Sequence, residues 1–255
     1  MPWNPETYNK FKAERYAPFF DLIKLIEAKN DLSVIDLGCG TGEITKMLAD
    51  SLPGSIVLGV DSSSEMLKES GNFVTETLEF RQESIEEIVN CGERWDIVFS
   101  NAAIHWVEDH HTLLPKLVKL MNEGGQLAIQ LPSNHTHFTH TAIKSLASAE
   151  PFKTALQGWT RTIPVLNIET YAEILYRNNI SAINVFEKIY PHVLEDADGL
   201  VNWVSGTALV PYLEHLPEEL HKPFMDEYRK IVYMEFPGRC IFYPFKRTFI
   251  YGILS

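Results

Sequence analysis

Residues 33–42 read SVIDLGCGTG, and this stretch decides the fold of the 255-residue chain. Its first half is a short apolar segment, which is typical of a parallel strand buried on both faces. Its second half places Gly38, Gly40 and Gly42 at alternate positions, and glycines let the chain turn sharply and let a ligand touch the backbone. A helical pattern follows, so the stretch predicts the strand, turn and helix that open a parallel α/β unit.

The alternation of strand and helix continues along the chain. Further strands are predicted near residues 55–61, 78–81, 95–99, 126–131, 182–189 and 241–253, and helices near 4–29, 111–121 and 168–177. The serines of residues 62–65 are typical of a helix start. The predicted fold class is α/β, with a Rossmann-like, doubly wound sheet of seven strands and a helical cap.

Two stretches do not follow this rhythm. Residues 132–167 and 191–240 carry prolines, tryptophans and scattered helical patterns, and we predict that they are cap insertions over the carboxyl ends of the strands, where α/β sheets bind ligands. The remaining divisions are a helical lid over 1–31, a ligand-binding core over 32–131, and the rest of the core sheet over 168–190 and 241–255.

The amino-acid composition limits the kinds of molecule that the protein is expected to bind. The chain has 22 Lys and Arg against 34 Asp and Glu, a net charge of −12, which argues against a nucleic-acid substrate and leaves a small anionic molecule open. No apolar run reaches the ~18 residues of a membrane span, and the first residues lack the features of a signal peptide. Three cysteines are an odd, sparse set that favours a reducing compartment. We therefore expect a cytoplasmic monomer with no membrane partner.

Two aspartates restrict the class of ligand that the glycine turn is expected to bind. Asp36 stands directly before the first glycine, where a carboxylate disfavours pyrophosphate and favours a ligand with an ammonium group. Asp61 ends the second strand, where an acid can accept hydrogen bonds from both ribose hydroxyls. The spacing G-x-G-x-G also differs from the G-x-G-x-x-G of nicotinamide dehydrogenases. The combination fits a nucleoside with a cationic tail and no phosphates, and S-adenosylmethionine matches that description.

The segment Asp36–Gly42, DLGCGTG, resembles the first motif of the class I S-adenosylmethionine-dependent methyltransferases, and Asp61 resembles the ribose-binding acid of their second motif. Ser84 stands where members of the class usually carry an aspartate near the adenine amino group, and a serine accepts that hydrogen bond more weakly. The resemblance implies S-adenosylmethionine as the cofactor. It implies cofactor contacts from Tyr8, Arg15, Asp36, Gly38, Cys39, Gly40, Asp61, Ser62, Met66, Ser84, Ile85, Asn101 and Ala102.

A narrower resemblance, to the trans-aconitate methyltransferases, covers nearly the whole chain. It is carried by residues 3–15, 101–106, 130–134, 202–204 and 244–250, although carboxyl methyltransferases of other substrates share residues like those at 101–106. It implies a methyl ester formed on a small carboxylic acid by an O-methyltransferase. The implied catalytic residues are His105 and Trp106, and the implied substrate-binding residues are Tyr8, Arg15, Trp106, Trp203 and Arg247.

One position departs from that family. Its members usually read glycine-leucine-arginine-proline where this chain has Ala208-Leu209-Val210-Pro211. A guanidinium is the natural partner of a carboxylate, and Val210 is unable to replace it. A monocarboxylic acid with an apolar tail is therefore an alternative substrate, unless an arginine from elsewhere, such as Arg161, Arg239 or Arg247, reaches the same place.

Other functions stay open at this point. Methylation of a different oxygen or of a nitrogen would need a base, and His105 is the candidate. A catalytically silent cofactor-binding regulatory protein is the alternative from outside the enzymes. The histidine-rich residues 134–140 lack the ligand spacing of a zinc site, so no metal is predicted. His110 and His111 are interpreted as polar residues of a helix start.

Overall fold

A computed structural model describes residues 12–255 of the chain, with side chains from Tyr16 onward. It contains one seven-stranded sheet, as predicted. The strands are β1 (Ser33–Leu37), β2 (Ile56–Asp61), β3 (Leu78–Gln82), β4 (Trp95–Asn101), β5 (Met121–Pro132), β6 (Ile180–Leu194) and β7 (Ile241–Leu254). The order across the sheet is β3-β2-β1-β4-β5-β7-β6.

The helices alternate with these strands. They are α1 (Lys12–Ile23), α2 (Glu43–Asp50), α3 (Ile85–Ile88), α4 (His110–Lys119), α5 (Phe138–Ala147), α6 (Phe152–Ala155), α7 (Ile168–Arg177), α8 (Ala197–Ser205), α9 (Val210–His215) and α10 (Glu218–Glu235). Three short 3₁₀-helices cover Met66–Phe73, Ile104–Trp106 and Asn134–Thr136. The helix expected after the serines of 62–65 is thus a 3₁₀-helix.

The first five strands are parallel, and β7 is antiparallel to β5. In this arrangement β1 and β4 lie side by side at the middle of the sheet, and strand order reverses between them. Open α/β sheets bind ligands at the carboxyl ends of the strands at such a switch point. The glycine turn after β1 and the residues after β4 therefore lie next to one another at the expected place.

The chain forms two compact units. The core unit comprises Ala13–Pro132, Pro164–Lys188 and Arg247–Ser255, and the helical unit includes Ser133–Ile163 and Ile189–Lys246. β6 and β7 each contribute to both units. The two units are built from different segments of sequence, and each has its own apolar cluster.

Apolar packing stabilises each unit separately. In the core unit, strand residues such as Ile35, Val98 and Ile129 pack with Leu117 of α4 and Leu175 of α7. In the helical unit, Phe224, Tyr228 and Val232 of α10 are fully buried at helical spacing against α5 and α8. Burial of one such side chain stabilises the fold by about 1.5–3 kcal/mol.

No helix among residues 12–255 has the length and apolar composition that a membrane-spanning helix requires.

Candidate functional site

The turn after β1 brings the backbone close to the end of β4. Gly38, Gly40 and Gly42 all have positive φ, of 78°, 58° and 83°. A Cβ added at Gly38 would lie 2.1 Å from the Cβ of Ala103, so that position requires glycine for space as well as for its backbone conformation. The N–H groups of the three glycines donate within the fold, to Val60 O, Asp61 Oδ2 and Cys39 O, so the turn is fixed and its small residues leave space beside the backbone.

Asp36 is a buried carboxylate at the base of this turn, with 2% of its surface exposed. Thr45 Oγ1 donates to its Oδ2 at 2.7 Å, and within residues 12–255 its buried Oδ1 has no hydrogen-bond partner. Burial raises the pKa of this carboxyl to about 7, while the Thr45 hydrogen bond lowers it and the charge of Asp61 raises it. A buried carboxylate oxygen is costly without a partner, and a ligand's ammonium group would be a suitable one.

Asp61, at the end of β2, is held in place by backbone donors. Its Oδ2 accepts from Gly40 N at 2.9 Å and its Oδ1 accepts from Ser63 N at 2.8 Å. A carboxylate has about four acceptor positions, so these two bonds leave room for the two hydroxyls of a ribose. The Asp61 carboxylate is half-buried and adjoins the glycine turn, which is the position that the sequence predicts for a ribose-binding acid.

The neighbouring predicted contacts differ in exposure. Ser62 is exposed, while Met66 is half-buried and its Cε would lie 3.2 Å from a Cβ at Gly40. Cys39 is 7% exposed, and burial raises the pKa of its thiol, so it stays protonated. The Cys39 side chain therefore contributes packing to the turn.

Ser84 is the N-cap of α3. Its Oγ donates to Glu87 Oε2 at 2.9 Å and accepts from Glu87 N, while Glu87 Oε2 also accepts from Ser84 N at 2.8 Å. These bonds form a capping box at the start of α3. Sequence reasoning gave Ser84 only a cofactor contact and did not predict this cap. One lone pair of the hydroxyl remains for an adenine amino group. Ile85, the next residue, is 8% exposed and belongs to the core cluster.

The end of β4 is fixed by its neighbours on both sides. Ser100 Oγ donates to the carbonyl of Leu37 in β1 at 2.8 Å, and Gln130 Nε2 of β5 donates to Asn101 Oδ1 at 2.7 Å. Because Asn101 Oδ1 is the acceptor, its Nδ2 is the group left to donate to a ligand. Ala102 follows with φ of 57°, a strained conformation for a residue with a Cβ and one often found at functional sites.

His105 and Trp106 lie on the 3₁₀ turn that follows Ala103. Their ring centroids are 5.0 Å apart. His105 is half-buried, and 55% of the Trp106 surface is exposed. Since Ala103 contacts the glycine turn, the turn that carries both predicted catalytic residues adjoins the predicted cofactor position within the core unit.

The predicted substrate residues are distributed over the chain. Tyr8 lies outside the described residues, and Arg15 lies in α1 but its side chain is outside them too. Arg247, opposite Pro132 in the β5–β7 pairing, is 9% exposed, so it does not face solvent. Trp203 is in the helical unit, with its ring centroid 4.6 Å from that of the buried His192. The structure thus brings His105 and Trp106 together, and it assigns Trp203 to the other unit.

Val210 begins α9 in the helical unit, and 36% of its surface is exposed. Arg161 of the same unit is half-buried, and its backbone N–H donates to the hydroxyl of Tyr212, two residues beyond Val210. Burial lowers the pKa of the Arg161 guanidinium and Tyr212 raises it. Among the arginines considered as replacements, Arg161 shares both the unit and this contact with the helix that Val210 begins.

Sequence reasoning missed three residues of this region. Thr45 holds Asp36, Gln130 orients Asn101, and His110 is buried below the turn of His105. His110 does begin α4, as the sequence indicates, but it is not a solvated polar residue, because it is 1% exposed and hydrogen-bonded at both ring nitrogens. Gln130 could have been noticed as a polar residue inside the apolar segment of a predicted strand. No local pattern in the sequence indicates the contacts of Thr45 or His110.

Comparisons with known proteins agree with this geometry. A family model described as a methyltransferase domain matches residues 28–181. The fold resembles that of the YcgJ protein from Bacillus subtilis, with a TM-score of 0.62 and 15% identity over 94% of this chain and 99% of that one. At that identity the likeness shows the fold alone.

Two curated relatives narrow the family. A trans-aconitate 2-methyltransferase of Deinococcus radiodurans is 42% identical over 254 residues, which cover 97% of this chain and 96% of that protein. A trans-aconitate 2-methyltransferase of Variovorax paradoxus is 32% identical over 243 residues, 94% of this chain and 92% of that protein. The chain therefore belongs to the S-adenosylmethionine-dependent methyltransferases, in the family of the trans-aconitate 2-methyltransferases.

Proposed function

We propose that this enzyme transfers the methyl group of S-adenosylmethionine to a carboxylate oxygen of a small organic acid and forms a methyl ester. The observation that carries the proposal is the buried Asp36 carboxylate beside Asp61 at the glycine turn. These residues fit the cofactor, since Asp36 is suited to its amine and Asp61 to its ribose. Trans-aconitate, the acid in the names of the relatives, is the first candidate substrate.

The cofactor, when bound, supplies a methyl group on a positively charged sulfur. The substrate carboxylate is already ionised at neutral pH, so a C–O bond forms, the C–S bond breaks and no proton moves. Asp36 would hold the amine of the cofactor and Asp61 its ribose, and Asn101 offers its Nδ2 near the glycine turn. Catalysis then comes from positioning and from exclusion of water, for which His105 and Trp106 are the proposed residues.

The helical unit supports an anionic substrate. The charged neighbours that shift the pKa of His140 in the described chain are all cationic or able to become so: His137, Arg161 and His135. Lys246 likewise lowers the pKa of His137. We propose that this unit provides the positive charge that a substrate acid needs, with Arg161 in place of the arginine that Val210 replaces.

A screen of small carboxylic acids with methyl-labelled S-adenosylmethionine tests the function. We expect a labelled product from trans-aconitate or a related acid, and mild base should release the label because methyl esters hydrolyse. A product stable to base, with a rate that falls below a histidine pKa, would instead support methylation of another oxygen or a nitrogen with His105 as base. Absence of transfer to every acid tested would overturn the proposal.

We further propose that the enzyme works in the cytoplasm as a monomer. Cys39, Cys91 and Cys240 are all free thiols, which suits a reducing compartment. Light scattering of the purified chain tests the monomer, for which the expected mass is 29.1 kDa.

A further inference from the structure

A buried chain of hydrogen bonds runs behind the turn that carries His105 and Trp106. Leu166 N donates to the hydroxyl of Tyr171 at 3.1 Å, that hydroxyl bonds to His110 Nδ1, and His110 Nε2 bonds to the carbonyl of Ile104 at 2.9 Å. His110 is 1% exposed and Tyr171 0%. All of these residues belong to the core unit.

The chemistry of its ends gives this chain one direction. The carbonyl of Ile104 only accepts, so His110 Nε2 carries the proton. The N–H of Leu166 only donates, so the Tyr171 hydroxyl accepts from it. Burial lowers the pKa of His110, so the imidazole is neutral, and its Nδ1 accepts the hydrogen of the Tyr171 hydroxyl. The neutral ring is therefore in a single tautomer.

The chain ends on the backbone of the turn. The carbonyl of Ile104 accepts from His110 and also from Val107 N at 2.9 Å, which closes the turn. One residue earlier, Ala103 contacts the glycine turn. The turn is thus held from one side by the predicted cofactor loop and from the other by His110.

We propose that His110, oriented by Tyr171, is a positioning residue for methyl transfer, because it fixes the turn Ile104–Trp106 and with it the directions of His105 and Trp106. The role of His110 rests on the proposed function, since the direction of these rings matters only if transfer occurs there. His110 touches no reacting atom; it acts through the backbone that it holds.

A second proton on His110 would reverse its bond to Tyr171, because Nδ1 would become a donor and the buried hydroxyl would have to turn its own hydrogen away from the ring. The charged and titratable groups around the ring in the described chain are Asp109 and His111 on α4 and Tyr171 on α7. Burial lowers the pKa of His110, which keeps it neutral at physiological pH; its bond to Ile104 and Asp109 raise the pKa, and His111 lowers it. Activity should therefore fall only at acidic pH.

The test compares Tyr171→Phe and His110→Gln with His111→Gln, a matched change at the exposed neighbouring residue. Tyr171→Phe removes both hydrogen bonds of the hydroxyl and keeps the ring, so kcat for the methylated acid should fall about tenfold while the affinity for S-adenosylhomocysteine stays within about twofold. The acidic limb of the kcat profile should move to higher pH in Tyr171→Phe, since Nδ1 loses its donor, and should disappear in His110→Gln. His111→Gln should match the wild type in kcat and in cofactor affinity, which are the two quantities for which it is the control.

Three results would overturn the inference: an unchanged kcat and pH profile in Tyr171→Phe, equal losses of cofactor affinity and kcat, or ¹⁵N shifts that place the wild-type His110 proton on Nδ1. The last measurement needs no variant, so it decides even if both variants unfold. A wild-type enzyme that methylates no acid would instead count against the proposed function. The two failures are therefore distinguishable.

Discussion

The core unit and the helical unit each bury an ionisable side chain, but the surroundings of the two have opposite charge. In the core unit, burial and the nearby charge of Asp61 raise the pKa of Asp36 to about 7, against the hydrogen bond from Thr45. In the helical unit, burial and the neighbours His137, Arg161 and His135 together lower the pKa of His140 to about 4. The immediate neighbour of Asp36 is therefore acidic, whereas those of His140 are basic.

This difference matches the two molecules that a carboxyl methyltransferase must bind. S-adenosylmethionine carries an ammonium and a sulfonium group, which suit an acidic site, whereas a carboxylic acid suits a cationic one. The net charge of −12 does not show this local difference, because it sums over the whole chain. Charge near a site is thus more informative about the ligand than the charge of the chain.

The largest effect is expected from adding a Cβ to a glycine, which compares the space at one position of the core unit with the space at one position of the helical unit. Gly38 and Gly158 have similar φ, 78° and 74°, but a Cβ would meet Ala103 at Gly38 and open space at Gly158. Gly38→Ala should therefore lower the free energy of unfolding by about 3 kcal/mol or more, from strain plus overlap, and Gly158→Ala by about 1 kcal/mol, from strain alone. Urea denaturation measures both, and equal losses would contradict the close approach at Gly38.

A second experiment compares the loss of an acidic side chain in the core unit with the loss of one in the helical unit, through the binding of S-adenosylhomocysteine. Asp61→Ala should weaken binding of S-adenosylhomocysteine by roughly 1.5–3 kcal/mol, or about ten- to a hundredfold, because it removes the proposed ribose acceptor. Asp198→Ala, which removes a partially exposed partner of Arg229 and Tyr233, is the control and should leave binding unchanged. Calorimetry that finds no loss in Asp61→Ala would refute the ribose assignment.

A third experiment tests whether Arg161 takes the place of the arginine that Val210 replaces. If Arg161 only partly replaces the arginine lost at Val210, Val210→Arg should improve kcat/KM for trans-aconitate about tenfold, through one charge-assisted contact. The affinity for the cofactor should not change, and a monocarboxylic acid with an apolar tail should gain nothing. Efficient turnover of trans-aconitate by the wild type, with no gain in Val210→Arg, would mean that Arg161 or another arginine already suffices.

The smallest step is the change per pH unit, about 1 kcal/mol, and Asp36 and His140 should respond to pH with opposite signs. The pKa of Asp36 rises from 3.8 to about 7 on folding, so its contribution to stability is present below pH 4 and is lost as pH rises through 7. The pKa of His140 falls from 6.5 to about 4, so its contribution is present above pH 6.5 and is lost as pH falls through 4.

Within its window each group should change the free energy of unfolding by about 1 kcal/mol per pH unit. The measurement is urea denaturation from pH 4 to 8. Asp36→Asn should remove the loss of stability that accompanies rising pH, and His140→Gln should remove the loss of stability that accompanies falling pH. Parallel pH curves for wild type and variants would show that neither group is buried as described.

Most of the fold was predictable because its signals are local. The segment 33–42 and the apolar runs of the other strands each indicate their own structure, and all seven strands occur where the sequence places them. Asp36 and Asp61 were likewise found because strand ends of a parallel sheet meet at one edge.

The rest depends on contacts between residues far apart in sequence. His110 and Tyr171 are 61 positions apart, and no local pattern indicates that they meet. Ser84 reads as a cofactor contact, yet Glu87 makes it a helix cap as well. Of the basic neighbours of His140, His135 and His137 belong to its own histidine-rich stretch, whereas Arg161 lies 21 positions away and no local pattern indicates that it is near.

The central claim is that the buried carboxylate of Asp36 recognises the amine of the cofactor, and proton release on binding tests it most directly. At pH 6 the Asp36 carboxyl is largely protonated, so binding S-adenosylhomocysteine through an ion pair should release about one proton. Titration calorimetry in two buffers of different ionisation enthalpy counts that proton. We expect a release close to one in the wild type and none in Asp36→Asn; the same count in both proteins would contradict the claim.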